Sequence, residues 1–195
     1  MTTEKKKDLP VNYFASQEEW REWLEINYAN SDGIWLKMYK KGSGVASVVY
    51  AQALDEALCY GWIDGQLKAG DENFYLQRFT PRRARSTWSK RNISHVERLE
   101  KAGKMTPAGW KVIEDAKADG RWDNAYDSQS EMKVPDELMA ELSKNQERLS
   151  YFESLNKVNR YAIIWRIQSA KNAAIREKRL KTLLEMLDRG EKIHP

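Results

Sequence analysis

Apolar residues change their spacing several times along the chain, and each change predicts an element. In SQEEWREWLEINYAN, Trp20, Trp23, Leu24 and Tyr28 recur at three- and four-residue intervals, predicting a helix from Gln17 to Ala29. Ser16 and Glu19 form the capping-box pattern at its start. In IWLKMYKK the spacing drops to two: Ile34, Leu36 and Met38 share one face of a strand, and Trp35 and Tyr39 share the other. YAQALDEALCY returns to helical spacing through Ala53, Leu54, Ala57 and Leu58, with Gly61 placed as a C-terminal glycine. WIDGQLKAGDENFYLQRFTPR alternates again and predicts a hairpin. Ile63, Gly65 and Leu67 oppose Asp64, Gln66 and Lys68 on the first strand, and Pro81 ends the second.

Beyond Pro81 the pattern is helical. Helices are expected from Ser89 to Ala102 and from Thr106, which caps Pro107 at the first position. Pro135 opens a short helix. Three more segments follow, with stripes Leu149, Phe152, Leu155; then Tyr161, Ile164, Trp165, Gln168; then Ile175, Leu180, Leu183, Leu184, Leu187. The expected fold is α+β and predominantly helical, with a small antiparallel sheet (a hairpin near 62–80) in the N-terminal half and a helical C-terminal part. The domain reading is a disordered tail over 1–9, an α+β domain over 10–126, a connector over 127–134 and helices over 135–190 packed on the first domain.

Composition narrows the classes. At 195 residues with eight Trp and nine Tyr, the chain is long and aromatic enough to bury a core. One cysteine, Cys59, excludes an internal disulfide, and two histidines leave almost no ligands for zinc. No metal and no cofactor is expected. The opening MTTEKKKDLPVNYF lacks an apolar run, so neither an export signal nor membrane insertion is expected, and the location expected is cytoplasmic. The net charge of +4 alternates in blocks of −4 (1–77), +7 (78–121), −5 (122–155) and +6 (156–195). The basic blocks suit either an external polyanion or the acidic blocks of the same chain.

Four motifs in order, ALDEALCYGWIDGQ, QRFTPRRARSTWSKRN, GKMTPAGWKVIEDAKADGRWDNAY and SAKNAAIREKRLKTLLEML, resemble the YdeI/OmpD-associated family, also called bacteriocin-protection proteins. The resemblance spans residues 10 to 190. Ile175 stands where the family pattern has a hydroxyl residue before Arg176. The resemblance implies a role in tolerance to antimicrobial peptides or envelope stress, and no reaction.

Two clusters are candidates for ligand binding. The first is the hairpin and its exit loop: Trp62, Asp64, Gln66, Arg78, Arg82, Ser86, Trp88, Ser89 and Asn92. If the register puts Asp64 and Arg78 on one face, the acid holds the guanidinium fork toward a phosphate or carboxylate. Ser86 and Ser89 precede a helix start, which favours anions. The plainer alternative is an internal salt-bridge network, a helix cap and two core tryptophans. The second cluster is Lys171, Arg176 and Arg179, which either adds charge around the same anion or forms a solvated face paired with acids of the 122–155 block.

Catalytic patterns are missing. GSG at 42–44 is too short for a phosphate loop, there is no G-x-S-x-G turn, and His95 has no assignable nucleophile. Cys59 reads as a small buried hydrophobe. The catalytic residues are unknown, and the chain leans away from an enzyme. The best reading is a cytoplasmic protein that binds a small anionic ligand or a peptide in a stress response. The alternatives are a nucleic-acid binder that uses the basic 78–92 segment and stacks bases on Trp88 or Phe79, and an undescribed enzyme on a small anionic substrate.

Overall fold

The computed structural model describes residues 8–127, 132–170 and 172–194. The chain divides into two compact units, residues 1–126 and 127–195. The first is α+β and the second helical.

The first unit is built on a four-stranded sheet in the order β1 (Val11–Tyr13), β2 (Ile34–Tyr39), β4 (Phe74–Pro81), β3 (Trp62–Ala69). The β2–β4 and β3–β4 pairs are antiparallel, as the hairpin reading requires. The edge strand β1 is an addition. It runs parallel to β2, with Val11 opposite Trp35, so the sheet is mixed. Two helices cover one face: α1 (Gln17–Asn27) and α2 (Tyr50–Cys59). Ser16 caps α1 by accepting a hydrogen bond from the Glu19 amide. Trp20 and Leu24 of α1, Ala53, Leu54, Ala57 and Leu58 of α2, and Ile34, Leu36, Met38 and Phe79 of the sheet are buried together. Each large side chain there contributes roughly 1.5–3 kcal/mol. Gly61, at φ +72°, ends α2. Two further helices, α3 (Lys90–Lys101) and α4 (Pro107–Ala118), pack beside α2.

The second unit holds α5 (Asp136–Leu142), α6 (Gln146–Ser154), α7 (Lys157–Gln168) and α8 (Ala173–Asp188). Their core is Leu138, Leu142, Phe152, Leu155, Ile163, Ile164, Ile167, Leu183, Met186 and Leu187. The stripe expected on α7 is rotated. Ile163, Ile164 and Ile167 face the core, while Tyr161, Trp165 and Gln168 are half-exposed. Ile175, expected to face inward on α8, is 36% exposed. Three branched aliphatic side chains on α7 bury more apolar surface per polar atom than Tyr and Trp, so they take the interior.

Residues 1–7 of the expected tail and residues 128–131 of the expected connector lie outside the described residues, as does Lys171. Asp8 and Leu9, at the end of the expected tail, are described, and both line a cleft. Among the described residues, no helix is long and apolar enough to cross a membrane.

Candidate functional site

The geometry of the first unit's site starts from an irregularity in the hairpin. Ile63 pairs with Thr80 and Asp64 with Phe79, but Leu67 pairs with Gln77. Gly65 and Gln66 therefore stand opposite one residue, Arg78, in a β-bulge. The bulge breaks the strict alternation read from the sequence. Ile63 shares a face with Thr80 and Arg78, whereas Leu67 shares the opposite face with Gln77. Lys68 is thereby carried to the Arg78 face, where its ammonium lies 4.2 Å from the ring centre of Trp35.

The same register separates Asp64 from Arg78. Asp64 stands opposite Phe79, on the helix-covered side, and its Oδ2 accepts a 2.9 Å hydrogen bond from the Tyr50 hydroxyl. Burial, then the Asp64 charge, pushes the Tyr50 phenol well above its usual range. Neither the facing Asp64–Arg78 pair nor the salt-bridge network expected as its alternative forms. Among the described residues, no carboxylate oxygen lies within 4.0 Å of the guanidinium of Arg78 or Arg82.

Arg78, Arg82 and the bulge border a cleft of about 920 Å³. Its lining includes Asp64, Gln66, Arg78, Arg82 and Ser86 from the sequence-derived candidates, together with Trp35, Gly65, Lys68, Thr80 and Arg83. The loop 29–32 and Asp8 close one side. Neither histidine nor cysteine is among its described lining residues.

Arg82 is the least ordinary member. It is 9% exposed, its Nη2 donates to the Thr87 carbonyl at 2.8 Å, and its guanidinium carbon sits 3.8 Å from the ring centre of Trp88. Its backbone amide donates to the Gly61 carbonyl, which ties the end of β4 to the end of α2. Burial pushes its pKa down to about 10. The Nε atoms of Arg78 and Arg82 are both buried with no hydrogen-bond partner among the described residues. Such donors carry a desolvation cost until something accepts from them.

Trp62, Trp88, Ser89 and Asn92 are not among the described residues that line the cleft, and Ser86, which is, bonds within its own loop. Trp62 is 1% exposed, donates from Nε1 to the Tyr28 carbonyl, and packs edge-on against Trp20 and Trp23. Trp88 is 1% exposed and packs on Trp122. Ser89 caps α3 by accepting from the Asn92 backbone amide. Ser86 turns its hydroxyl to the Arg83 carbonyl. Phe79, at 0% exposure, and Trp88 offer no ring for stacking a base.

In the second unit, Arg176 Nε donates to Glu137 Oε1 at 2.5 Å. This pair, to an acid of the 122–155 block, holds the Glu137 carboxyl below its usual range. Arg179 donates to the Arg166 carbonyl at 2.7 Å and to Ser169 Oγ at 3.2 Å.

Sequence reading overlooked Trp35, Lys68 and Gly65. The signal available was Gly65 itself, since glycine inside a strand marks a bulge or a close approach. His95 is not isolated: its Nδ1 lies 3.3 Å from Asp55, which also receives Arg98. Cys59 is fully buried, and burial pushes its thiol up to about 11, away from thiolate chemistry. Among the described residues, no group of His, Cys, Asp and Glu is arranged to hold a metal ion.

The first unit is thus an α+β domain with an arginine-lined cleft, set in a chain whose other unit is helical. Residues 12–112 match the family described as Domain of unknown function (DUF8412). That is more than half of the 195 residues, and the chain belongs to this family. Residues 131–190 match the family described as Bacteriocin-protection, YdeI or OmpD-Associated. The resemblance expected over residues 10 to 190 is therefore carried by the second part, where SAKNAAIREKRLKTLLEML lies. ALDEALCYGWIDGQ and QRFTPRRARSTWSKRN fall within the first match. No curated protein and no solved structure matches the chain.

Proposed function

We propose that the first unit binds a small anionic ligand in the Arg78–Arg82 cleft, and that the chain acts as a binding protein in tolerance to antimicrobial peptides. The observation that carries the binding is Arg82, a buried cation with no carboxylate within 4.0 Å among the described residues, bordering an open cleft. A buried charge without a counter-ion is costly, and a visiting carboxylate or phosphate offsets that cost. Arg78 supplies a second guanidinium, and Lys68 and Arg83 add positive charge at the rim. The link to peptide tolerance is supported by the family description matched over residues 131–190.

Isothermal titration with inorganic phosphate and with citrate tests the binding. Arg78→Gln and Arg82→Gln should each weaken it about tenfold or more, the worth of one charge-assisted hydrogen bond. Binding unchanged in both variants would remove the site. The cellular role is tested by deleting the gene and measuring sensitivity to several bacteriocins and to polymyxin, where unchanged sensitivity counts against it.

A further inference from the structure

A second hollow, about 700 Å³, lies within the helical unit between the end of α7 and the first half of α8. Ile175, Lys178, Arg179 and Thr182 sit at i, i+3, i+4 and i+7 on α8 and form one wall. Trp165 and Arg166 of α7, with its C-cap Ser169, form the other. Leu183, 3% exposed, closes the floor.

Three of the described lining residues are cations and none is an acid. Among the described residues, no carboxylate comes within 4.0 Å of Arg166, Lys178 or Arg179. The bonds that Arg179 makes go to neutral oxygens, a carbonyl and a hydroxyl, so they fix its position without cancelling its charge. They also tie the wall of α8 to the end of α7, which sets the groove's width. Arg176 is the contrast: it points to Glu137 and is neutralised within the unit. The groove has therefore kept its positive charge while its neighbour on the same helix has not.

We propose that this groove docks an acidic peptide segment with an apolar anchor. Trp165, half-buried, and Ile175, 36% exposed, give the anchor a surface to cover. Carboxylates on either side of the anchor meet Arg166 and Lys178 at the rim and Arg179 deeper in. This is the helix-groove mode of peptide recognition, with the charge pattern choosing the partner. A polyphosphate backbone would satisfy the cations and leave Trp165 and Ile175 uncovered, which is why a peptide is the better fit.

The test uses the full chain and fluorescence anisotropy at low salt, with a short labelled peptide of glutamates around a central Leu-Phe pair. Saturable binding is expected, lost in the peptide's glutamine counterpart. Lys178→Glu and Arg166→Glu change exposed side chains, which circular dichroism should show to be folded, and each should weaken binding at least about tenfold. Arg82→Gln, in the other unit, should leave it unchanged. The proposal is overturned if the peptide does not bind or the glutamine peptide binds equally. It is also overturned if both charge reversals bind like the parent, or if an all-glutamate peptide or an oligothymidine binds as tightly, since either would mean charge alone.

Discussion

The guanidinium of Arg78 lies against the bare Cα of Gly65: a Cβ placed on Gly65 would come within 2.9 Å of Arg78 Nε and 3.3 Å of Nη2. The bulge that sets Gly65 and Gln66 opposite Arg78 creates this contact, and the missing side chain leaves the fork its place beside the cleft.

Gly65→Ala should therefore separate binding from stability. The methyl group meets the far end of a flexible side chain, so Arg78 swings aside and the fold loses less than about 1 kcal/mol, within the range of ordinary surface substitutions. Phosphate affinity at the cleft should nevertheless fall several-fold. Parallel urea melts and phosphate titrations check this. An unchanged affinity would mean that Arg78 does not need its place beside Gly65.

Arg82→Met should be at least as stable as the parent in the absence of ligand. The substitution keeps much of the volume over Trp88 and removes a buried charge that has no carboxylate in contact among the described residues, and replacing buried ionic groups by packed apolar ones is often neutral or stabilising. It loses the bond to the Thr87 carbonyl, worth about 1 kcal/mol. The pH dependence has a definite sign. Burial lowers the folded-state pKa of Arg82 to about 10, well below its ordinary value. Between those values the unfolded chain holds the proton and the folded chain does not, so the parent gains stability as pH rises. Below pH 10 the advantage of Arg82→Met should be flat, and above it the advantage should shrink. Urea midpoints at neutral pH and above pH 10 measure both. A loss of more than about 1 kcal/mol at neutral pH would mean the charge is compensated inside the protein.

Local chemistry was legible in the sequence and distant pairing was not. Ser16 and Thr106 cap the helices they were expected to cap, and Ser89 makes the cap that was the alternative to its ligand role, because a cap needs only residues two or three positions away. The alternation of Ile34, Leu36 and Met38 set the buried face of β2 for the same reason. β1 escaped because three residues have no period, and its partner lies more than twenty positions further on. The hairpin was visible but its bulge was not, so Lys68 was read onto the wrong face and the Asp64–Arg78 relation stayed open. The burial of Arg82 depends on Trp88 folding under it, which no spacing announces.

Gly109→Ala should be far more damaging than Gly65→Ala, although both add one methyl. A Cβ on Gly109 would lie 2.3 Å from the Cys59 carbonyl oxygen, a backbone atom that cannot swing away. Thr106 holds that carbonyl close, donating to it from its hydroxyl at 2.6 Å while its backbone amide donates at 3.3 Å. Separating α4 from α2 would break both bonds. The expected loss is about 3 kcal/mol or more, the upper range for overpacking. Thermal unfolding by circular dichroism measures it, and a shift of only a degree or two would show that α4 packs on α2 with slack.

Asn159→Ala should release the segment that follows α8. Asn159 is 1% exposed, and its Oδ1 accepts from the backbone amides of Ile193 and His194 at 3.0 and 2.9 Å. Its Nδ2 donates to the His194 carbonyl at 3.2 Å and to Asn156 Oδ1, the cap of α7, at 3.1 Å. One amide thus joins the start of α7 to residues 193–194, and Ile193 packs on the core of the helical unit. Alanine removes all four bonds. The freed groups at 193 and 194 are near the surface and find water, so the loss should be about 1–3 kcal/mol rather than the sum of four separate bonds. Hydrogen exchange discriminates the mechanism: the Ile193 and His194 amides should lose protection while amides in the middle of α7 keep theirs. Uniform loss across α7 would instead mean that Asn159 supports the helix itself. Asn159→Asp keeps the two acceptor bonds but removes the donor and buries a carboxylate. It should fall between parent and alanine at acidic pH and lose stability as the carboxyl ionises.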